Sequence, residues 1–356
     1  MMDNFYSSPE KFIATAPSNI AFVKYWGKRD ASLQWPANDS FSMTLSRSRT
    51  ETIAQKTADG TDSFTFEGVT FTSKCHPDHK VFRHINRVRK TLNISGSVSI
   101  QSKNTFPTGC GIASSASGFA ALTLATIAAL TGETSWERLR LLGISRETIA
   151  HLARQGSGSA GRSLFAGFVV WKAGETPDSQ ILEEVFAPNE WDLSDIIVVF
   201  SDKEKHTSSS DAHLAAWGSP LFAARLAGLK ARMEIIQNAI RKKDLELLGR
   251  EIEADALEMH AVAMTGSPAV NYFCDNTIKF TAWVRAERDA GRLPAWFTID
   301  AGPNVHLICP THSVETIVTH IKSHWPDAQL IVDRVGQGPT LQGMVSQAAS
   351  AEVNHV

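Results

Sequence analysis

The stretch FPTGCGIASSASGFAALTLA (106–125) decides how the fold is read. A polar, β-rich run, SVSIQSKN (97–104), leads into it, a turn of Gly and Ser follows, and a small-residue helix pattern continues from Ser114 to about Leu130. Such a turn, opening directly into a helix, presents backbone N–H groups to an anion, and the helix dipole adds to the attraction. The run is not GxxxxGK[ST], because no lysine follows Gly111. The positive charge for a bound phosphate must therefore come from elsewhere in the chain.

Outward from this motif, the first half reads as strand-rich. Strand signals lie at KFIATA (11–16), IAFVKYW (20–26), ETIAQKT (51–57), SFTFEGVTFT (63–72) and SVSIQ (97–101), with a helix at about 78–92 between the last two. TSWE (134–137) reads as a capping box and Ser145 as the cap of the next helix. SLFAGFVVWKA (163–173) returns as a strand, and IIVVFSD (196–202) is a buried one. Pro220 opens an amphipathic helix whose face is Phe222, Leu226, Leu229, Met233, Ile236 and Ile240, and Asp244 caps a further helix to about Met264. AWFTID (295–300) and AQLIVDRV (328–335) are strands. The irregular alternation predicts an α+β fold in two domains, residues 1–190 and 191–356, rather than a doubly wound parallel sheet.

The 356 residues, 43% hydrophobic, suffice for a large core. A net charge of −2 gives no electrostatic case for a nucleic-acid partner. The longest apolar run, AALTLATIAAL (120–130), is too short for a membrane span and reads as a buried helix. Cys75, Cys110, Cys274 and Cys309 are scattered, without CxxC or a preceding signal peptide, which predicts reduced thiols and a cytoplasmic protein.

Four segments concentrate polar groups in apolar context. NIAFVKYWGKRD carries Asn19, Lys24, Tyr25, Trp26 and Lys28, and on an alternating strand Lys24, Trp26 and Lys28 share one face. That face suits an anionic site; a solvated strand edge is the plainer alternative. The opening loop places Ser114 and Ser115 at a helix start, where a simple cap is also adequate. RQGSGSAGRS (154–163) combines an open backbone with the fork of Arg162, suited to carboxylate or phosphate, although a flexible loop with a surface arginine reads equally well. TIDAGPNVH (298–306) holds Asp300 at a loop mouth, where it is catalytic or merely stabilises the turn. CHPDHKVFRH (75–84) lacks zinc spacing and reads as a solvated loop. Met259 and Met264 read as helical core.

Taken in order, NIAFVKYWGKRD, NDSFSMTL (38–45), PTGCGIASSASG (107–118), GSGSAGRSLFAGF (156–168) and DAGPN (300–304) resemble the motifs of the diphosphomevalonate decarboxylase family in the GHMP kinase superfamily. The resemblance spans about residue 11 to the GQGP turn at 336–339. It implies an N-terminal domain like that of ribosomal protein S5, an α+β C-terminal domain, a cleft site between them, and a homodimer. It also implies ATP and Mg²⁺ acting on (R)-mevalonate 5-diphosphate, with the metal ligands unassigned. Carried over position by position, the catalytic residues are Asp300, Lys28 beside it, and Arg162 on the substrate carboxylate. Substrate contacts fall on Asn19, Lys24, Tyr25, Ser157, Ser159 and Ser209, and ATP contacts on Gly109, Gly111, Ser114 and Ser115. The chain departs from the family at Gly109-Cys110, at Gly161, and at Asp211 and His213. The last two lie in KHTSSSDAH, implied to meet the diphosphate end, so a 5-monophosphate substrate stays open. A GHMP kinase that stops after phosphoryl transfer is the rival activity.

Overall fold

The computed structural model describes residues 11–107, 113–200 and 209–344, the side chains of 209–211 excepted. The first half runs β1 (Lys11–Val23), β2 (Lys28–Asp30), β3 (Trp35–Pro36), β4 (Ser40–Thr57), β5 (Ser63–Phe66), β6 (Val69–Thr72), α1 (Lys80–Leu92), β7 (Ser97–Asn104) and α2 (Ser114–Thr131). It continues with α3 (Trp136–Leu141), α4 (Arg146–Gly156), a 3₁₀ segment Gly158–Leu164, β8 (Phe168–Lys172) and β9 (Ile181–Phe186). The second half is β10 (Leu193–Val199), α5 (Ser209–Ala215), α6 (Phe222–Lys242), α7 (Leu245–Met264), α8 (Asp275–Asp289), β11 (Trp296–Thr298), β12 (Val305–Pro310), α9 (Val314–His324), β13 (Gln329–Arg334) and β14 (Thr340–Met344).

The main sheet follows β14-β1-β4-β7-β5-β6, and β4 also pairs with β8, which carries β9. The second sheet is β11-β12-β10-β13, antiparallel throughout. This mixed, largely antiparallel topology is the expected α+β class. α2 explains why the opening motif decides the fold. Its alanines (Ala116, Ala120, Ala121, Ala125, Ala128) are all buried, so the helix lies close on the sheet as the spine of the first core. By length and composition it is the one helix among the described residues able to cross a membrane, and a largely buried core helix has the same apolar composition.

A second core is built from both halves. Ile20, Phe22, Phe41, Met43 and Phe168 meet Ile197, Leu229, Met233, Ile236, Ile252 and Ile308. The predicted face of α6 fills it with Leu229, Met233, Ile236 and Ile240, all buried, and half-buried Leu226, while Phe222 is buried in a neighbouring cluster with Trp26 and Ala37. β14 returns from the second half to pair with β1, so the last described strand completes the first sheet.

Several local expectations change. The two N-terminal strand signals form one strand, β1, interrupted by register shifts at Pro17/Asn19 and Ala21/Val23. Such bulges accommodate the proline and re-aim side chains. The capping box at 134–137 does not form, since Ser135 is the N-cap and makes no side-chain cap bond. Ser145 and Asp244 do cap, accepting from the Thr148 and Leu247 N–H groups. Met264 is exposed rather than core. The solvated-loop reading of 75–84 holds for residues 75–78, which are exposed, but not for His79 and His84. His79 packs on Phe71 at 4.8 Å, and buried His84 bonds Thr123 at 2.8 Å, with burial pushing its imidazole down to about 3.

A candidate active-site cleft

β11 ends at Thr298, and the chain then turns tightly, the Gly302 N–H donating to the Asp300 carbonyl at 2.7 Å. The turn directs the Asp300 carboxylate to the Nζ of Lys24, 2.6 Å away. Lys24 is only 3% exposed, donates also to the Ala21 carbonyl at 2.8 Å, and is anchored by its own N–H to Asp255 Oδ2 on α7 at 2.8 Å. Asp255 is held in turn by Arg225 at 2.9 Å. Behind Asp300, His306 and Asp195 share a buried hydrogen bond of 2.7 Å. Burial alone would raise the Asp300 carboxyl. Lys24, His306 and Arg162 override it and hold the group below the ordinary carboxylate range.

This corrects the pairing read from sequence: the lysine on Asp300 is Lys24, not Lys28. The alternating-strand reading fails because β1 stops at Val23, and residues 24–27 form an irregular segment before β2. Lys28 is nonetheless buried and lines the same cleft, so neither lysine sits on a solvated edge.

Arg162, 3% exposed, follows from the GSGSAGR segment folding as a tight 3₁₀ turn after α4. Its Nε and Nη2 donate to Asn19 Oδ1 at 3.2 and 3.1 Å, and Nη1 to Ser40 Oγ at 2.6 Å. Asn19 is oriented by donating its Nδ2–H to Ser163 Oγ at 2.9 Å. A guanidinium has five N–H donors, so these bonds leave two directions on the terminal nitrogens. Every hydrogen-bond partner among the described residues is neutral, and burial pushes the group down to about 10, still cationic at neutral pH. A buried cation so placed is costly unless an anion arrives.

Both Gly/Ser segments converge on this cleft. The first turn of α2 has no side-chain cap; its N-cap is Ala113 at φ 46°. Ser115 Oγ lies 3.1 Å from Ser157 Oγ, joining the two loops. Asn19, Lys24, Tyr25, Lys28, Ser114, Ser115, Ser157, Ser159, Arg162 and Asp300 all line one cavity of about 400 Å³. Gly109, Gly111 and the Ser209 side chain lie outside the described residues.

Sequence reasoning missed a second cavity of about 440 Å³ that shares Ser114, Ser115 and Phe119 with the first and is walled by Phe64, Phe66, Phe71 and His79. Lys80 borders both. The aromatic wall comes from the β5–β6 hairpin, whose alternation was visible, but nothing in spacing shows that it meets α2. Ser40 was quoted in NDSFSMTL without its role, and Gln34 also borders the first cavity.

Two family models match the chain. Residues 16–182 match the diphosphomevalonate decarboxylase-like N-terminal domain, and residues 195–355 the mevalonate 5-diphosphate decarboxylase C-terminal domain. The diphosphomevalonate decarboxylase of Ganoderma lucidum is 37% identical over 347 residues, covering 91% of this chain and 84% of the relative. Among solved structures, the complex of MDDEF with MVAPP, AMPPCP and magnesium superposes with a TM-score of 0.83 at 33% identity, covering 94% of this chain and 99% of that one. The mevalonate diphosphate decarboxylase of Enterococcus faecalis gives 0.82 at 32% identity, with the same coverages.

Proposed function

Because this chain belongs to the diphosphomevalonate decarboxylase family, we propose that it converts (R)-mevalonate 5-diphosphate, with ATP, to isopentenyl diphosphate, ADP, phosphate and CO₂. The observation that carries the reading is the buried Arg162, with no carboxylate partner among the described residues, in one cleft with an aspartate held ionised by Lys24. A tertiary 3-hydroxyl is a poor nucleophile. Asp300 accepts its hydrogen bond, orients it and takes its proton as the γ-phosphoryl group transfers. Lys24 keeps Asp300 anionic for that task. The two remaining donor directions of Arg162 hold the substrate carboxylate, aligning the bond to be broken with the departing phosphate. Loss of CO₂ then supplies the electron pair as that phosphate leaves.

ATP is placed with its phosphates at the first turn of α2 and its base in the cavity walled by Phe64, Phe66 and Phe71. Among the described residues there is no cluster of three or more ligating side chains, which suits Mg²⁺, an ion held largely by phosphates and water with one or two protein oxygens. Asp300 and the Ser114 and Ser115 hydroxyls are the groups that would face it, and Mg²⁺ would neutralise charge on the phosphates. The division near residue 190, a cytoplasmic location and a homodimer belong to the same reading. The location is supported by free Cys75, Cys274 and Cys309.

The test is ATP-dependent release of CO₂ from mevalonate 5-diphosphate compared with the 5-monophosphate. CO₂ with ADP from the diphosphate supports the reading, whereas ADP without CO₂ identifies a kinase instead.

A further inference from the structure

His213 reaches the cleft from α5 and is gripped on its ring faces. Its ring centroid is 4.2 Å from that of Tyr25 and 4.7 Å from that of Trp26. Its Nδ1 accepts the N–H of Gly27 at 3.0 Å. A backbone amide can only donate, so Nδ1 carries no proton and the neutral ring bears it on Nε2. The bond rests on rigid backbone. Gly27 stands at φ +83°, and a Cβ there would fall 2.3 Å from Phe222 Cζ, so no other residue allows this approach without rearrangement. Burial, reinforced by the charge of Lys28, pushes the imidazole well below its ordinary value and keeps it neutral.

The Nε2–H has no partner among the described residues, and His213 lines the cleft. The charges acting on Asp300 are Lys24, His306 and Arg162, while the one acting on His213 is Lys28. The cleft thus has a reacting end and, around Lys28, a second cationic end. We propose that His213, through Nε2–H, is a neutral hydrogen-bond donor to a terminal phosphoryl oxygen of the substrate's diphosphate, forming with Lys28 the subsite that selects this anionic tail. The inference rests on the functional reading above. A neutral donor beside a cation adds direction where Lys28 adds charge, and a site that hydrogen-bonds its ligand rejects one lacking the group.

The full chain labelled with ¹⁵N-histidine is titrated with inorganic pyrophosphate, the His213 resonances being assigned with His213→Asn. The expected result is an Nε2–H tautomer in the free protein whose Nε2 proton shifts downfield on binding. An Nδ1–H tautomer, or a resonance unmoved at saturation, overturns the proposal. His213→Asn keeps an acceptor for Gly27 and removes the donor at the Nε2 position, which its shorter amide does not reach. By calorimetry it is expected to weaken mevalonate 5-diphosphate about tenfold and mevalonate less than twofold. His213→Gln, which restores a donor near Nε2, should recover part of the loss. Equal weakening of both ligands by His213→Asn would also overturn it. Wild-type protein that binds the diphosphate but releases no CO₂ would refute the functional reading and leave these binding outcomes decisive for His213.

Discussion

The ionisation of Asp300 is set by neighbours from distant parts of the chain, which is why its candidacy was legible in DAGPN while its partner was not. The tightness of the turn is local, but the choice between Lys24 and Lys28 depends on β1 ending one residue before Lys24. Asp300→Ala is expected to lower kcat about 10²–10⁴-fold while retaining binding of ATP and substrate; turnover near wild type would remove Asp300 from the reaction. Lys24→Met probes its ionisation. Burial raises the carboxyl and Lys24 is the first of the groups that lower it, so without Lys24 the value climbs. The acid limb of the kcat–pH profile then moves to higher pH, and an unmoved limb would show that Lys24 does not set it. The stability carried by Asp300 follows the same sign: it is present above the unfolded value of about 3.9 and lost as pH falls through the lower folded value. Arg162→Gln, which keeps a planar amide but removes the cation, is expected to cost about 100-fold in kcat/KM for the substrate with little change in binding of an ATP analogue. Equal losses in both would assign Arg162 to the nucleotide.

At the scale of elements, periodicity disclosed what local burial dictates. The face of α6, the caps at Ser145 and Asp244 and the small-residue spine α2 were readable, since each is a one-dimensional pattern. β12, α8 and α9 escaped notice, and so did the aromatic wall beside α2, because their partners are set only by tertiary pairing. Gly249 in α7 illustrates the difference. Helix propensity alone favours alanine by roughly 1 kcal/mol. Yet Trp296 of β11 packs on the bare backbone, and a Cβ at Gly249 would lie 1.9 Å from its Cγ. Arg288 stacks over that indole at 3.6 Å and restricts its movement. Gly249→Ala is therefore expected to destabilise by about 1–3 kcal/mol, read as a fall in the denaturant midpoint; a rise would mean the indole moves aside at little cost.

At the scale of the whole molecule, the chemistry requires two halves to stay in register. Asp300 comes from the turn after β11 in the second half, Lys24, Arg162 and Ser114 from the first half, and the tie between them is partly polar, through Asp255 to the Lys24 N–H. The larger tie is apolar. Ile20, Phe22, Phe41, Met43 and Phe168 share one core with side chains of β10, α6, α7 and β12, and β1 pairs with β14 along its edge. The length of the chain suggests two domains, and a core that draws on both halves cannot be divided without exposing it. A fragment of residues 1–190 would present that apolar surface and an unpaired edge of β1 to water, two conditions that favour association over folding. It is expected to lack a cooperative thermal transition and to aggregate, whereas the full chain unfolds in one transition followed alike by fluorescence and circular dichroism. A fragment that stays monomeric and melts cooperatively would show that the first half owes little to the second. The alignment of Asp300 with Lys24 would then depend on the polar tie alone.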